Sequence, residues 1–188
     1  NIRSILWRDL MRVITGIARG RKLVTLEGEE VVRPTTDRVK EAMFSIIQFD
    51  IPGKSVLDLF AGSGQLGIEA LSRGAEKAVF VDKSAEAFSV VKQNLKTCGL
   101  SDKATVINSD SFSFLRSTAE KFDIILIDPP YSRQMAETAL SLVDGVLKDG
   151  GIVMCETDYR EDLPEEVGDI KKIKEYKYSK TKLTTYKK

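Results

Sequence analysis

Hydrophobic positions along the chain change their spacing in a repeating way. From Lys54 onward, runs rich in Val, Ile and Leu at 55–59, 77–81, 104–107, 123–127 and 151–155 alternate with segments at 66–73, 85–98, 111–119 and 134–147 whose apolar residues recur at helical spacing. Near-continuous apolar runs predict strands buried on both faces, and the helices between them predict a parallel sheet covered on both sides. Gly74 and Gly99 stand where helix C-caps are expected, Ser84 stands as an N-cap, and Asp149-Gly150-Gly151 predicts a turn into the fifth strand. After Pro164, residues 170–178 and 182–186 are strand-like and predict a closing antiparallel hairpin.

Ahead of this core, 12–17 and 22–26 alternate like a small β element. Pro34-Thr35-Thr36 then predicts a helix start, with Val39, Met43, Ile46 and Ile47 on one face to pack against the sheet. The Pro52-Gly53 pair is the one plausible seam, so 11–50 reads as an N-terminal β/helix extension and 51–188 as the main domain. Residues 1–10 precede the regular patterning that begins at Met11; they are expected to be an expression remnant or a stretch before an alternative start.

Composition narrows the class. A chain of 188 residues with 42% apolar and 30% charged content is long enough to bury a core without disulfide or metal staples. The sequence contains no histidine, which removes mechanisms needing an imidazole base or a histidine-ligated metal, and no metal is expected. Cys98 and Cys155 lie far apart and read as small hydrophobes of a reduced, cytoplasmic protein. No apolar stretch approaches the roughly 18 residues a membrane span needs, so no membrane partner is expected. The net charge of +1 hides an uneven distribution. Residues 1–40 carry +4 and residues 171–188 carry +7, which leaves −10 for 41–170. Basic ends on an acidic body suggest a polyanion held by the ends, although a lysine-rich solvated tail gives the same count.

The first strand runs into Asp58-Leu59-Phe60-Ala61-Gly62-Ser63-Gly64, and Gly62, Gly64 and Gly67 fit the GxGxxG pattern of dinucleotide sites. Asp82 ends the second strand about 20 residues later, where a carboxylate accepts two hydrogen bonds from a ribose diol. Both features serve any adenosine-bearing cofactor. Asp58, four residues before Gly62, would repel a pyrophosphate but could hold a cationic amino group directly or through water, which favours S-adenosylmethionine over a dinucleotide. Asp128-Pro129-Pro130-Tyr131 follows the fourth apolar strand. Two prolines make a stiff, acceptor-rich loop at the edge where open α/β sheets bind ligands. There the Asp128 carboxylate and the Pro129 carbonyl could accept both N–H groups of a nucleobase amine, while Tyr131 stacks on the base. A plain strand-ending turn is the competing reading.

These motifs, Asp58 to Gly64, Asp82, Asp110 and Asp128 to Tyr131, resemble those of class I S-adenosylmethionine-dependent methyltransferases that methylate amines. Met11 to Gly16, Gly20 to Leu23 and the block Arg33-Pro34-Thr35-Thr36-Asp37-Arg38 through Phe44 further resemble the RsmD family of bacterial 16S ribosomal RNA guanine-N2 methyltransferases. The resemblance implies a Rossmann-like α/β fold with a mostly parallel sheet of about seven strands, helices on both faces and a C-terminal antiparallel hairpin. It implies S-adenosylmethionine as cofactor, with Phe60, Ala61, Gly62 and Gly64 at its methionine part, Asp82 and neighbouring Lys83 at the ribose, and Asp110 with Ser111 at the adenine edge. An N-cap role for Asp110 is equally compatible. Thr35 and Arg38 are candidates for closing over cofactor or target. Arg12, Arg19, Arg21 and Lys22 would hold RNA phosphates. The implied partner is 16S rRNA within a small ribosomal subunit or assembly intermediate.

The expected reaction is a direct in-line displacement in which guanine N2 attacks the sulfonium methyl and S-adenosylhomocysteine leaves, with Asp128 orienting the amine; a free aspartate, with a pKa of about 3.9, is too weak a base to deprotonate it first. A DNA adenine-N6 methyltransferase and a non-catalytic RNA-binding or assembly module are the alternatives. A dinucleotide oxidoreductase leaves Asp128 to Tyr131 unexplained.

Overall fold

The computed structural model describes residues 11–26, 36–130 and 134–188. Strands β1 (Ser55–Asp58), β2 (Lys77–Asp82), β3 (Ala104–Asn108), β4 (Phe122–Ile127) and β5 (Leu147–Asp158) run parallel, and β8 (Thr181–Lys187) and β7 (Ile170–Tyr178) continue the sheet antiparallel. With the two-residue β6 (Glu166–Val167), the sheet has eight strands in the order β3-β2-β1-β4-β5-β8-β7-β6, one more than the sequence predicts. The extra strand is a short edge that pairs only with the start of β7.

Strand side chains alternate between two cores, as pleating requires. Val56, Ile124, Leu126, Met154 and Leu183 face one layer with α1 (Thr36–Ile47), α2 (Gln65–Ser72) and α3 (Ala85–Cys98). Leu57, Ile125, Ile127, Val153 and Tyr186 face the other, with α4 (Ser111–Ser117) and α5 (Met135–Val143). The predicted face of α1 is the buried one: Val39, Met43 and Ile47 are in the core and Ile46 is half-buried. Pro34 and Thr35, read as its start, lie outside the described residues.

Three local expectations are corrected. The β element of 12–17 and 22–26 reduces to a single antiparallel bridge between Arg12 and Lys22, because polar side chains of α2 and α3 take backbone groups that a hairpin would pair. α5 ends at Val143 rather than near 147, since Val146 turns back to accept the Phe122 N–H at 2.8 Å. Asp149-Gly150-Gly151 lies within β5 instead of preceding it, held by Gly150 N–H to Lys188 O at 3.0 Å and Lys188 N–H to Gly151 O at 3.1 Å. Among the described residues, no helix is long and apolar enough to cross a membrane.

Candidate active site and nucleic-acid interface

Parallel pairing puts the carboxyl ends of β1, β2, β3 and β4 along one edge, and every central candidate residue leaves the sheet there. The turn after β1 is tied to its neighbours by Leu59 N–H to Leu126 O at 3.1 Å and Ala61 N–H to Val81 O at 3.0 Å. Gly62 and Gly64 take left-handed backbone, with φ of 55° and 82°. Gly67 serves close packing: a Cβ there would lie 2.3 Å from the Phe80 ring, so α2 approaches β2 only without a side chain.

Two aspartates organise this turn. Asp58 is buried, and its Oδ2 accepts the Gly67 N–H at 2.9 Å, anchoring the first turn of α2. Half-buried Asp82 accepts the Gly62 N–H on Oδ2 at 2.9 Å and the Ser84 N–H on Oδ1 at 2.8 Å. A carboxylate offers about four acceptor positions, so these two bonds leave Asp82 capacity for a diol. Lys83 beside it is exposed. At the end of β3, Asp110 caps α4 through the Ser113 N–H at 2.9 Å, the alternative weighed above, and buried Ser111 donates its hydroxyl to Leu59 O. Phe60 and Phe112 meet edge to face, with centroids 6.0 Å apart, forming a ring pair between the β1 and β3 ends. In the sequence Phe112 is signalled only as an aromatic two residues beyond Asp110.

Asp128 follows β4 directly and is half-buried, with Pro129 buried and Pro130 exposed. Tyr131 lies outside the described residues, as does Thr35; Arg38, on the first turn of α1, is exposed. Gln65, at the start of α2, has a buried Oε1 with no hydrogen-bond partner among the described residues. The site therefore combines a left-handed glycine turn, a carboxylate with spare acceptor capacity, a ring pair and an unsatisfied buried acceptor. These acceptors fit an adenosine bearing an amino-acid tail, whose hydroxyls and ammonium are donors.

The basic N-terminal segment sits beside this turn. Glu69 on α2, completely buried, accepts Ile14 N–H at 2.9 Å and Thr15 N–H at 3.0 Å. Its carboxylate also meets Arg73 at 3.0 Å and the buried Lys40 ammonium at 3.8 Å. Burial pushes the Lys40 amine below its ordinary value, with Glu69 acting in the opposite direction. Ser72 accepts Ala18 N–H at 2.9 Å, and Asn94 on α3, also completely buried, accepts Val24 N–H at 2.8 Å. The Asn94 amide then donates to Val24 O and to Ser63 O, both at 2.9 Å, so one side chain grips the N-terminal segment and the glycine turn together. Neither Glu69 nor Asn94 stood out in the sequence, where both sit on helices that read as ordinarily amphipathic. Arg12, Arg19, Arg21 and Lys22 are exposed on this segment, with Arg12 3.9 Å from Asp37. The two cysteines are unpaired; Cys155 is buried and Cys98 half-buried, and burial raises both thiols.

A family described as Conserved hypothetical protein 95 matches residues 11–187. The ribosomal RNA small subunit methyltransferase D of Haemophilus influenzae is 41% identical over 153 residues, covering 79% of each chain. The chain belongs to the RsmD family. A Bacillus subtilis protein, YlbH, is 43% identical over 183 residues, covering 95% of this chain and 99% of its own. The solved structure of yhhF from Escherichia coli superposes with a TM-score of 0.83 at 32% identity, covering 96% of this chain and 98% of that one. The architecture is thus the class I methyltransferase fold expected of an RsmD-family chain, with the antiparallel β8 and β7 completing its sheet.

Proposed function

We propose that this RsmD-family chain methylates the exocyclic N2 amine of a guanine in 16S ribosomal RNA, presented in a small ribosomal subunit or an assembly intermediate. Methyl transfer from S-adenosylmethionine to ribosomal RNA is the activity that family membership gives it. The observation that carries the finer reading is the exit of Asp128-Pro129-Pro130 from β4 immediately beside the β1 turn that Asp82 and Asn94 hold. When bound, the cofactor supplies a methyl group made electrophilic by its sulfonium.

The chain's own residues do the rest. Asp82 accepts the ribose hydroxyls with the capacity its two backbone bonds leave, and Phe112, Asp110 and Ser111 flank the adenine, with Phe60 edge to face on Phe112 toward the methionine part. Ala61, Gly62 and Gly64 let the methionine part lie close to backbone, Gln65 offers its unsatisfied oxygen to the ammonium, and Asp58 acts from beneath through its charge. Lys83 stands beside Asp82 as a cofactor contact, and Thr35 and Arg38 remain the candidates for closing over the cofactor or the target. At the target, the Asp128 carboxylate and Pro129 carbonyl accept the two amine N–H groups, orient the nitrogen lone pair and offset the positive charge that develops on it. Asp128 or water receives the released proton. Tyr131 stacks on the base, and Pro130 keeps the loop stiff. Arg12, Arg19, Arg21 and Lys22, exposed on a segment bonded to α2 and α3, hold RNA phosphates near the cofactor.

The test is nucleoside analysis of small subunits from a strain lacking the homologous enzyme, after incubation with this protein and labelled S-adenosylmethionine. The label is expected in N2-methylguanosine of 16S rRNA. Label in another nucleoside, or in DNA as N6-methyladenine, would overturn the base assignment.

A further inference from the structure

A second surface at the same sheet edge carries features that neither core uses. Beyond β5 the chain turns at Tyr159 and Arg160, and Tyr159 is 44% exposed and belongs to neither core cluster. The turn is fixed from within: Arg160 N–H donates to Asp158 Oδ1 at 2.9 Å, Glu161 N–H donates to Asp158 O at 3.0 Å, and the guanidinium forks onto both Asp158 oxygens at 2.9 and 3.1 Å. The Arg160 guanidinium carbon lies 5.6 Å from the Tyr159 ring centre. On one side, Tyr159 N–H donates to Lys180 O at 3.1 Å, joining this turn to the β7–β8 turn where Lys177 and Lys180 are exposed. On the other, Glu161 lies near the backbone N–H of Gln134, the residue that leads into α5 from the loop begun by Asp128.

An exposed ring on a stiff turn, tied to the β7–β8 turn and bordered by its lysines, has the make-up of a stacking platform for unpaired nucleotides. The positive charge lies on the hairpin side of the ring: residues 171–188 carry +7, whereas the turn and the stretch after it, 158–169, hold one Arg against six Asp/Glu. Lys172 and Lys182 are neutralised locally by Glu165, Glu175 and Asp162, which leaves Lys177 and Lys180 among the lysines that face outward.

We propose that Tyr159 stacks on an unpaired RNA base flanking the methylated nucleotide while Lys177 and Lys180 contact adjoining phosphates. This rests on the RNA-methylating reading above and extends it to the opposite side of the target from the N-terminal arginines. A target base must be unpaired or flipped out to be reached, so the base beside it loses a stacking partner that an aromatic ring can replace.

The experiment pairs two measurements on Tyr159→Ala, Tyr159→Phe and the double variant Lys177→Gln/Lys180→Gln. The first is methyl transfer to small subunits; the second is binding of a single-stranded oligoribonucleotide by fluorescence anisotropy, which needs no methyl transfer. Loss of one stacked base corresponds to roughly five- to hundredfold weaker binding. Tyr159→Ala is therefore expected to raise KM for subunits and Kd for the oligoribonucleotide about tenfold, with Tyr159→Phe restoring both. The lysine double variant is expected to flatten the slope of log affinity against log salt by about 1 to 2. Tyr159→Ala within twofold of wild type in both measurements overturns the proposal. So does weakened subunit binding with unchanged oligoribonucleotide binding, which would mean that a ribosomal protein meets this turn. If the wild type binds the oligoribonucleotide through Tyr159 but methylates no subunit, the RNA surface stands and the functional reading falls.

Discussion

Gly67 and Asn94 set the position of the glycine turn after β1 by opposite means, one by having no side chain and the other by using every polar atom of its amide. An alanine at Gly67 places its Cβ 2.3 Å from the Phe80 ring, which is completely buried and has no room to retreat. Overpacking of this kind costs about 1–3 kcal/mol, so Gly67→Ala is expected to lower the urea midpoint and weaken S-adenosylhomocysteine binding; an unchanged midpoint contradicts the packing argument. Asn94→Ala strips partners from Val24 N–H, Val24 O and Ser63 O. Leaving buried polar groups unsatisfied costs about 1–3 kcal/mol, and hydrogen exchange should accelerate at the Val24 amide. Asn94→Asp retains the acceptor for Val24 N–H but loses both donated bonds, so it should slow that amide relative to the alanine variant while leaving Ser63 O unpaired.

At the scale of elements, the amino ends of β1, β4 and β5 are stitched by one carboxylate. Asp123 Oδ2 accepts the Ser55 N–H and hydroxyl, both at 2.9 Å, and meets Lys148 at 3.2 Å. Burial pushes the Asp123 carboxyl up, but the Ser55 bonds and Lys148 outweigh it and hold it below the ordinary aspartate value. A depressed native pKa contributes stability that is present above the ordinary value and is lost as pH falls through it toward the native one. Acid titration of unfolding should therefore show a steeper loss for wild type than for Asp123→Asn; parallel curves contradict this. Elements were legible where local pattern and tertiary demand agree. α3 has its Ser84 cap, with the hydroxyl accepting Ala87 N–H at 3.2 Å, and its left-handed Gly99 stop, and it falls at the predicted residues. The start of β5 was not legible, because Asp149-Gly150-Gly151 is a turn by local chemistry and a strand only through pairing with Lys188, nearly 40 residues away. The site divides the same way. Its glycines and aspartates are visible as a spaced motif, whereas Asn94, Glu69 and Phe112 matter only through what folding brings against them.

Across the whole molecule, the carboxyl edge of the sheet gathers the glycine turn, Asp82, the Asp128 loop and the Tyr159 turn, with exposed basic residues on the N-terminal segment and on the β7–β8 hairpin. Basic ends on a chain whose middle carries −10 are suited to holding RNA across that edge. Binding to RNA should then weaken steeply with salt, whereas S-adenosylhomocysteine binding should depend on it little. In the proposed reaction Asp128 acts on the amine and not on the cofactor. Its most direct test is Asp128→Ala, measured for S-adenosylhomocysteine affinity and for methyl transfer to small subunits in parallel. Affinity should be unchanged and transfer reduced by about a hundredfold or more, as for loss of a preorganised electrostatic contact. Transfer retained near the wild-type rate would contradict it.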